Sequence, residues 1–339
     1  MEAPVGALLD VRNLRTHFTL DEGVLKAVDG VSFVVPGKST VGLIGESGCG
    51  KSVTAQSILR IVPSPGRIAG GRILLARNGG SIDLAALPPA GREVRDIRGR
   101  EIAMIFQEPM TSLSPVYTIG DQVVESLLVH VTRNKREAWE RAVQMLDKVG
   151  IANPRQRAHE YPHQLSGGLR QRAMIAIALS CTPKLLIADE PTTALDVTVA
   201  AQILELMQSL QDEFHMSMLY ITHDLGVIAE ISEIVNVMYL GRIIESASAQ
   251  DLFGSPLHPY TQALMRSIPR VEKRTRARLD AIDGSVPVPL NLPRQCGFFP
   301  RCSRAIAGTC DAHVPALVEA APGHRVRCFL HAAERDEDV

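Results

Sequence analysis

Apolar and polar positions alternate from Leu8 to Phe18 in the two-residue rhythm of a strand, and the pattern predicts an edge strand with Phe18 at its exit. A second strand is expected over Leu25 to Val35, ended by the turn Pro36-Gly37-Lys38. Four short runs, Val41 to Ile44, Glu101 to Phe106, Lys184 to Ala188 and Met216 to Thr222, are apolar enough to be buried strands. Gly70 to Leu75 opens a hairpin after the break Pro63-Ser64-Pro65-Gly66, and Arg92 to Arg100 is charged densely enough to read as a solvated connection. Between about Thr118 and Ala158 the period lengthens: Ile119, Val123, Val124, Leu127 and Leu128 recur at helical spacing, then Ala142, Met145, Leu146 and Val149, until Gly150 stops the helix. A further long helix is expected from about Val197 to Phe214. Strands alternating with helices predict an α/β chain, its sheet largely parallel and covered on both faces, with a helical subdomain inserted. Beyond Phe253 the prolines at 256, 259, 269, 287, 289 and 293 mark a linker and a separate tail.

Composition narrows the class. The 339 residues suffice for one large or two modest domains. Thirty-six Lys and Arg against 37 Asp and Glu leave a net charge of −1, which favours neither nucleic acid nor an acidic partner. No apolar run reaches the roughly 18 to 20 residues that span a bilayer. The start, Met1-Glu2-Ala3-Pro4-Val5, carries acid where a signal peptide carries base, so the expected compartment is the cytosol. In that reducing setting six cysteines point to metal, cluster or simple burial rather than disulfides.

The chemistry centres on Gly45-Glu46-Ser47-Gly48-Cys49-Gly50-Lys51-Ser52, set between an apolar strand and a helix that begins near Val53. This is the phosphate-loop pattern G-x-x-x-x-G-K-[ST]: backbone N–H groups close around phosphate oxygens, and the helix dipole favours the anion. Lys51 then meets the β and γ phosphates, and Ser52 ligates Mg²⁺. About 140 residues on, an apolar strand ends in Asp189-Glu190. Asp189 is placed to hold the Mg²⁺ shell, and Glu190 to polarise a water for in-line attack on the γ-phosphate. Gln107, leaving its strand, is a candidate for Mg²⁺ or the attacking water, and His223 for the γ-phosphate; either residue at a strand end also serves purely structural roles. Ser166-Gly167-Gly168 opens another helix and repeats the anion-seeking geometry of the first loop. One chain has one nucleotide at its phosphate loop, so this second turn predicts a head-to-tail dimer with ATP between subunits.

Taken together, the loop at 45–52, Gln107, Leu165 to Gln171, Leu185 to Glu190, Ala194-Leu195-Asp196 and His223 resemble the ordered motifs of ABC-type ATPases: Walker A, Q-loop, signature, Walker B, D-loop and switch histidine. The resemblance implies that Phe18 stacks on adenine and that Ser166, Gly167 and Gly168 contact the γ-phosphate of the opposite site. It also implies that Asp196 communicates between sites and that the helical insert receives a membrane subunit's coupling helix. The departure is Leu169, where the signature usually has Gln; Ser166 and the glycines supply most phosphate contacts. Gln107 to Pro115, Tyr161-Pro162-His163-Gln164 and Ser255 to Thr261 further resemble the ATP-binding subunits of oligopeptide and dipeptide permeases. The implied organisation is a P-loop ABC ATPase domain over 1–255, with mixed sheet core and a helical subdomain at about 108–165, followed by a peptide-permease-type tail over 256–339. The implied partners are a homologous ATP-binding subunit, expected to be a different chain, two integral membrane permease subunits and an extracytoplasmic solute-binding protein, with the chain peripheral on the cytoplasmic face of the inner membrane. Peptides lead as solute, with nickel, glutathione and oligosaccharides as alternatives.

Cys296, Cys302, Cys310 and Cys328 stand in a tail too short for a sizeable core, which suggests that a bound centre staples it. Their gaps of 5, 7 and 17 residues suit a Cys₄ iron–sulfur cluster better than the close Cys pairs of structural zinc, and free thiols remain an alternative. The resemblance strengthens the [4Fe-4S] reading, since some permease ATPases carry such a cluster. His313, His324 and His331 lie among these cysteines and read as surface histidines. Two rival functions are a soluble ABC ATPase of repair or translation, and an iron–sulfur redox enzyme with an incidental nucleotide fold.

Overall fold

The computed structural model describes residues 6–77, 79–107, 112–193, 195–267, 282 and 284–331. Several sequence expectations, at Met1 to Val5, Glu108 to Thr111, Ala194 and Pro269, therefore lie outside the described residues. The strands are β1 (Ala7–Leu20), β2 (Gly23–Pro36), β3 (Thr40–Ile44), β4 (Gly66–Arg77), β5 (Gly80–Asp83), β6 (Ile102–Ile105), β7 (Leu185–Asp189), β8 (Ser217–Thr222), β9 (Ile234–Tyr239), β10 (Arg242–Ser248), β11 (Val318–Ala321) and β12 (His324–Val326). The chain forms two compact units, one comprising Met1–Val34, Thr40–Ala86 and Ile221–Val339, the other Val35–Ser39 and Leu87–Tyr220.

In the first unit β1 lies between β2 and β4 in a sheet of order β2-β1-β4-β5. The expected edge strand is thus an inner one, because its alternation reflects one buried face (Leu9, Val11 and Leu14 are at most 1% exposed) and says nothing about which neighbours pair with it. β1 and β4 run antiparallel from Leu9 opposite Leu75 to Phe18 opposite Gly66, with a register shift beside Arg15. Gly71 sits at that irregularity with φ 89°, where a Cβ would fall 2.4 Å from the carbonyl oxygen of Asn13. A second run of strands is ordered β11-β12-β10-β9-β3, parallel between β3 and β9 and antiparallel in its other pairs, so this part is mixed rather than largely parallel.

The described residues after Pro256 fold onto this unit. β12 continues the sheet beyond β10 through Glu245 opposite Val326. Lys26 donates its N–H to the Pro289 carbonyl at 2.9 Å. The fully buried Glu245 carboxylate accepts the N–H groups of Leu257 (2.6 Å) and His258 (2.9 Å) and meets His324 Nε2 at 2.8 Å. A buried charge persists only when its oxygens are satisfied in this way.

The second unit carries strands in the order β8-β7-β6, with β6 parallel to β7. Its helices follow the predicted periods. Ile119–His130 starts at the Thr118 cap, Lys135–Lys148 at Asn134, whose Oδ1 accepts from Arg136 and Glu137, and Val197–Phe214 at Asp196. Gly150 ends its helix with φ 75°. The stretch expected to be a solvated connection contains a helix, Arg92–Ile97. Its charges face water while Val94 and Ile97, three apart, are 1% exposed, an apolar pair too short for the periodic signal to register.

Candidate functional site

The phosphate loop links β3 to the helix Lys51–Ile58 in the first unit. Its glycines are required by space as well as by backbone angle. A Cβ on Gly45 (φ 154°) would lie 2.2 Å from the Met238 carbonyl oxygen, and one on Gly50 (φ 106°) 2.1 Å from that of Ala27. No side chain caps the helix and no acidic residue occupies its first turn, so its leading N–H groups remain available to an anion. Ser47 and Gly48 form the exposed tip, while Ser52 and Val53 are half-buried behind it. Lys51 is buried, and its Nζ donates to the carbonyls of Gly45 (2.8 Å) and Glu46 (3.1 Å). Cys49 packs beneath the loop, where burial raises its thiol pKa against the opposing effect of Lys51. Also in this unit, Phe18 is half-buried on β1, and His223 is exposed just before the helix Leu225–Ile231, which Asp224 caps.

Glu46 carries two contacts that sequence reasoning missed. Its N–H donates to the Tyr260 hydroxyl at 2.9 Å, and its carboxylate takes a two-pronged bond from Arg301 at 2.8 and 3.1 Å. The sequence had drawn attention to Tyr260 only as part of the Ser255 to Thr261 resemblance.

The second unit brings together Gln107, Asp189 and Glu190. Asp189 ends β7 with 3% exposure. Glu190 follows in the left-handed region (φ 47°), a costly conformation for a non-glycine residue and one that recurs where a side chain is aimed for function. Glu190 Oε2 accepts from Gln107 Nε2 at 3.1 Å and from Thr193 Oγ1 at 3.0 Å. Thr193 was not anticipated; the run Pro191-Thr192-Thr193 after the acids was its only signal. In the same unit Ser166 and Gly167 are exposed, and Ser166 Oγ accepts the Leu169 N–H at 3.4 Å as the cap of Gly167–Leu179. A Cβ on Gly168 would come within 2.9 Å of Val199, so this turn also packs closely on the helix that Asp196 opens.

All four tail cysteines are unpaired thiols in the first unit. Cys296 donates its N–H to the Cys310 carbonyl at 2.8 Å, and Cys310 Sγ accepts the Ile306 N–H at 3.4 Å. Burial first, then the charges of the neighbouring cysteines, push the Cys296 and Cys328 thiols up to about 11, and Cys302 rises for the same reasons. Among the described residues no group of three or more His, Cys, Asp or Glu side chains is disposed to hold a metal ion. Of the tail histidines, His324 is not on the surface as expected but 5% exposed, because its ring meets the buried Glu245, and His331 meets the Leu257 carbonyl. Cys181 lies apart in the second unit against the Ser126 carbonyl.

A phosphate loop built on a strand–helix junction, and a carboxylate pair aimed from the end of a parallel strand, define an ATP-hydrolysing cassette. Comparison with known proteins agrees. The family profile described as ABC transporter matches residues 28–193, and that of the oligopeptide/dipeptide transporter C-terminal region matches 244–310. The oligopeptide transport ATP-binding protein AppD of Bacillus subtilis is 51% identical over 336 residues, covering 98% of this chain and 99% of its own. The dipeptide transport ATP-binding protein DppD of Escherichia coli is 44% identical over 322 residues, covering 95% and 96%. A solved dimeric ATP-binding cassette, MJ0796 in a post-hydrolysis state bound to ADP and Pi, aligns with TM-score 0.62 at 25% identity over 71% of this chain and 98% of its own. The chain belongs to the ABC transporter family, in its oligopeptide/dipeptide branch, and it is an ATPase.

Proposed function

We propose that the chain energises the uptake of di- or oligopeptides by a bacterial importer. The observation that carries this reading is the match, along nearly the whole chain including the tail, to relatives named for oligopeptide and dipeptide transport. Residues 1–255 form the ATPase domain, with a helical subdomain at about 108–165, and 256–339 the tail. ATP sits on Gly45 to Val53, with Phe18 on adenine and Lys51 on the β and γ phosphates. Glu190 orients the attacking water, assisted by Gln107 and His223; the bond from Gln107 to Glu190 supports this assignment. Ser52, Gln107 and Asp189 fit Mg²⁺ as hydroxyl, amide and carboxylate oxygen donors, and the ion supplies charge neutralisation at the phosphates. Ser166, Gly167 and Gly168 address the nucleotide of a homologous ATP-binding subunit, and Asp196 links the two sites. The exposure of the Ser166 turn supports that role.

The same reading places the protein at the cytoplasmic face of the membrane, held by two integral permease subunits that receive solute from an extracytoplasmic binding protein. Among the described residues no helix is long and apolar enough to cross a membrane. Cys296, Cys302, Cys310 and Cys328 hold a [4Fe-4S] cluster. Four unpaired thiols, three of which figure among the charges acting on Cys296, support this. The cluster would supply a covalent staple for a segment with little core of its own. The test is uptake of labelled di- and oligopeptides by the reconstituted complex. ATP-dependent peptide accumulation is expected, and accumulation of nickel, glutathione or oligosaccharide without peptide would replace the assigned solute.

A further inference from the structure

Glu46 is the only acidic residue of the loop Gly45 to Ser52, and a carboxylate there opposes binding of a polyanion. Like charges closer than about 8 Å, one Debye length at physiological salt, are only partly screened, and a loop that wraps a triphosphate is of that size. The fold answers this from 255 residues away. Arg301 lies with its side chain 5% exposed and grips both oxygens of Glu46. Its guanidinium is itself held by the Gly284 carbonyl at 3.2 Å and the Tyr239 hydroxyl at 3.4 Å, and lies 5.9 and 6.0 Å from the ring centres of Tyr239 and Phe298. Tyr260, whose ring leans on Tyr239 and Phe298, takes the Glu46 N–H. Both the backbone and the side chain of this loop residue are thus fixed from the segment that follows residue 256. The Glu46 carbonyl in turn accepts from Lys51 Nζ, so displacement of Glu46 displaces the ammonium expected to meet phosphate.

We propose that Arg301 is a positioning residue for ATP: it neutralises Glu46 and pins it away from the phosphates, so that the loop presents N–H groups and Lys51 rather than a carboxylate. The proposal rests on reading Gly45 to Ser52 as the triphosphate cradle. Arg301 touches neither nucleotide nor water; it acts through Glu46. A forked guanidinium suits the task because it cancels charge and fixes orientation together.

The test is the Kd of the full-length chain for Mg·ATP, measured by calorimetry at low and physiological salt. Arg301→Gln should weaken binding about fivefold, and less at high salt, where screening shortens the reach of the bared carboxylate. Arg301→Lys should fall between, since the charge survives and the fork does not. In a Glu46→Gln background the same Arg301→Gln change should shift Kd less than about twofold, because the charge it offsets is gone. An unchanged Kd in Arg301→Gln, or an equal loss in both backgrounds, overturns the proposal by showing no role or a merely structural one. Lys51→Ala separates the two layers: if it binds ATP like the wild type, the cradle reading falls and the proposal with it; if it loses ATP while the cycle proves additive, only the proposal falls.

Discussion

Glu190 lies in the left-handed region with two neighbours on one carboxylate oxygen, and this arrangement fixes what its replacement should do. Glutamine keeps the shape and can still meet Thr193, but it cannot accept a proton from water. Glu190→Gln should therefore retain ATP binding and lower steady-state turnover about 10²-fold or more. Near-normal phosphate release in that variant would remove Glu190 from its role. Lys51→Ala should act at the other end, weakening nucleotide binding itself, as equilibrium dialysis against ATP would show. At this scale the sequence was most legible, because a phosphate loop and a strand-terminal acid pair are local patterns whose chemistry follows from residue type and spacing. Thr193 escaped because a threonine three residues after an acid has many ordinary uses. Gln107 gained its meaning only once β6 and β7 were seen to run parallel and bring it to Glu190.

Elements were legible where the period was long and missed where pairing decided. The helices at 119–130, 135–148 and 197–214 lie in the stretches where the sequence predicted helix. β1 was misplaced to an edge, and Arg92–Ile97 was taken for connection, because strand neighbours and one-turn helices leave almost no one-dimensional trace. The junction His258–Tyr260 makes a prediction of its own. His258 is 2% exposed and its Nδ1 accepts the Tyr260 N–H at 3.0 Å, opening the helix Pro259–Arg266. Desolvation first, then the charge of His331, lowers its pKa to about 3. In the unfolded chain this histidine takes its proton near pH 6.5, so between there and pH 3 the unfolded state binds more protons. The stabilisation from the neutral ring is complete above pH 6.5 and is lost as pH falls, by at most about 1.4 kcal/mol per pH unit for the single proton. His258→Asn keeps an acceptor for the Tyr260 N–H without a titrating ring. Its unfolding free energy, from urea melts at pH 6.5, 5.5 and 4.5, should fall less steeply than the wild type's; equal slopes would exclude His258 as the titrating group.

For the whole molecule the question is why an ATPase carries a tail of 80-odd residues. Many of its attachments are on strand or loop backbone at β2 and β10, among them those of Pro289, Leu290 and Val326, and these serve stability. That of Arg301 ends on the Glu46 carboxylate, inside the phosphate loop, and it departs from a residue adjacent to Cys302. No sequence pattern reveals such a contact, since nothing local to Glu46 or Arg301 encodes their meeting. On the cluster reading proposed above, a centre held by Cys302, next to Arg301 in the chain, would also steady the position of Arg301. Removing the centre, by anaerobic chelation or by Cys302→Ser, should release the chain between Phe298 and Cys302 and weaken Mg·ATP binding about as much as Arg301→Gln does, roughly fivefold if Glu46 is fully bared. In a Glu46→Gln background the same treatment should leave ATP affinity within about twofold, because the carboxylate that Arg301 offsets is absent. Iron and sulfide content measured alongside establishes that the centre was there to remove. Depletion of the centre with no change in ATP affinity would mean that the aromatic bed of Tyr239 and Phe298 alone holds Arg301 in place, and that the cysteines staple the tail without reaching the nucleotide.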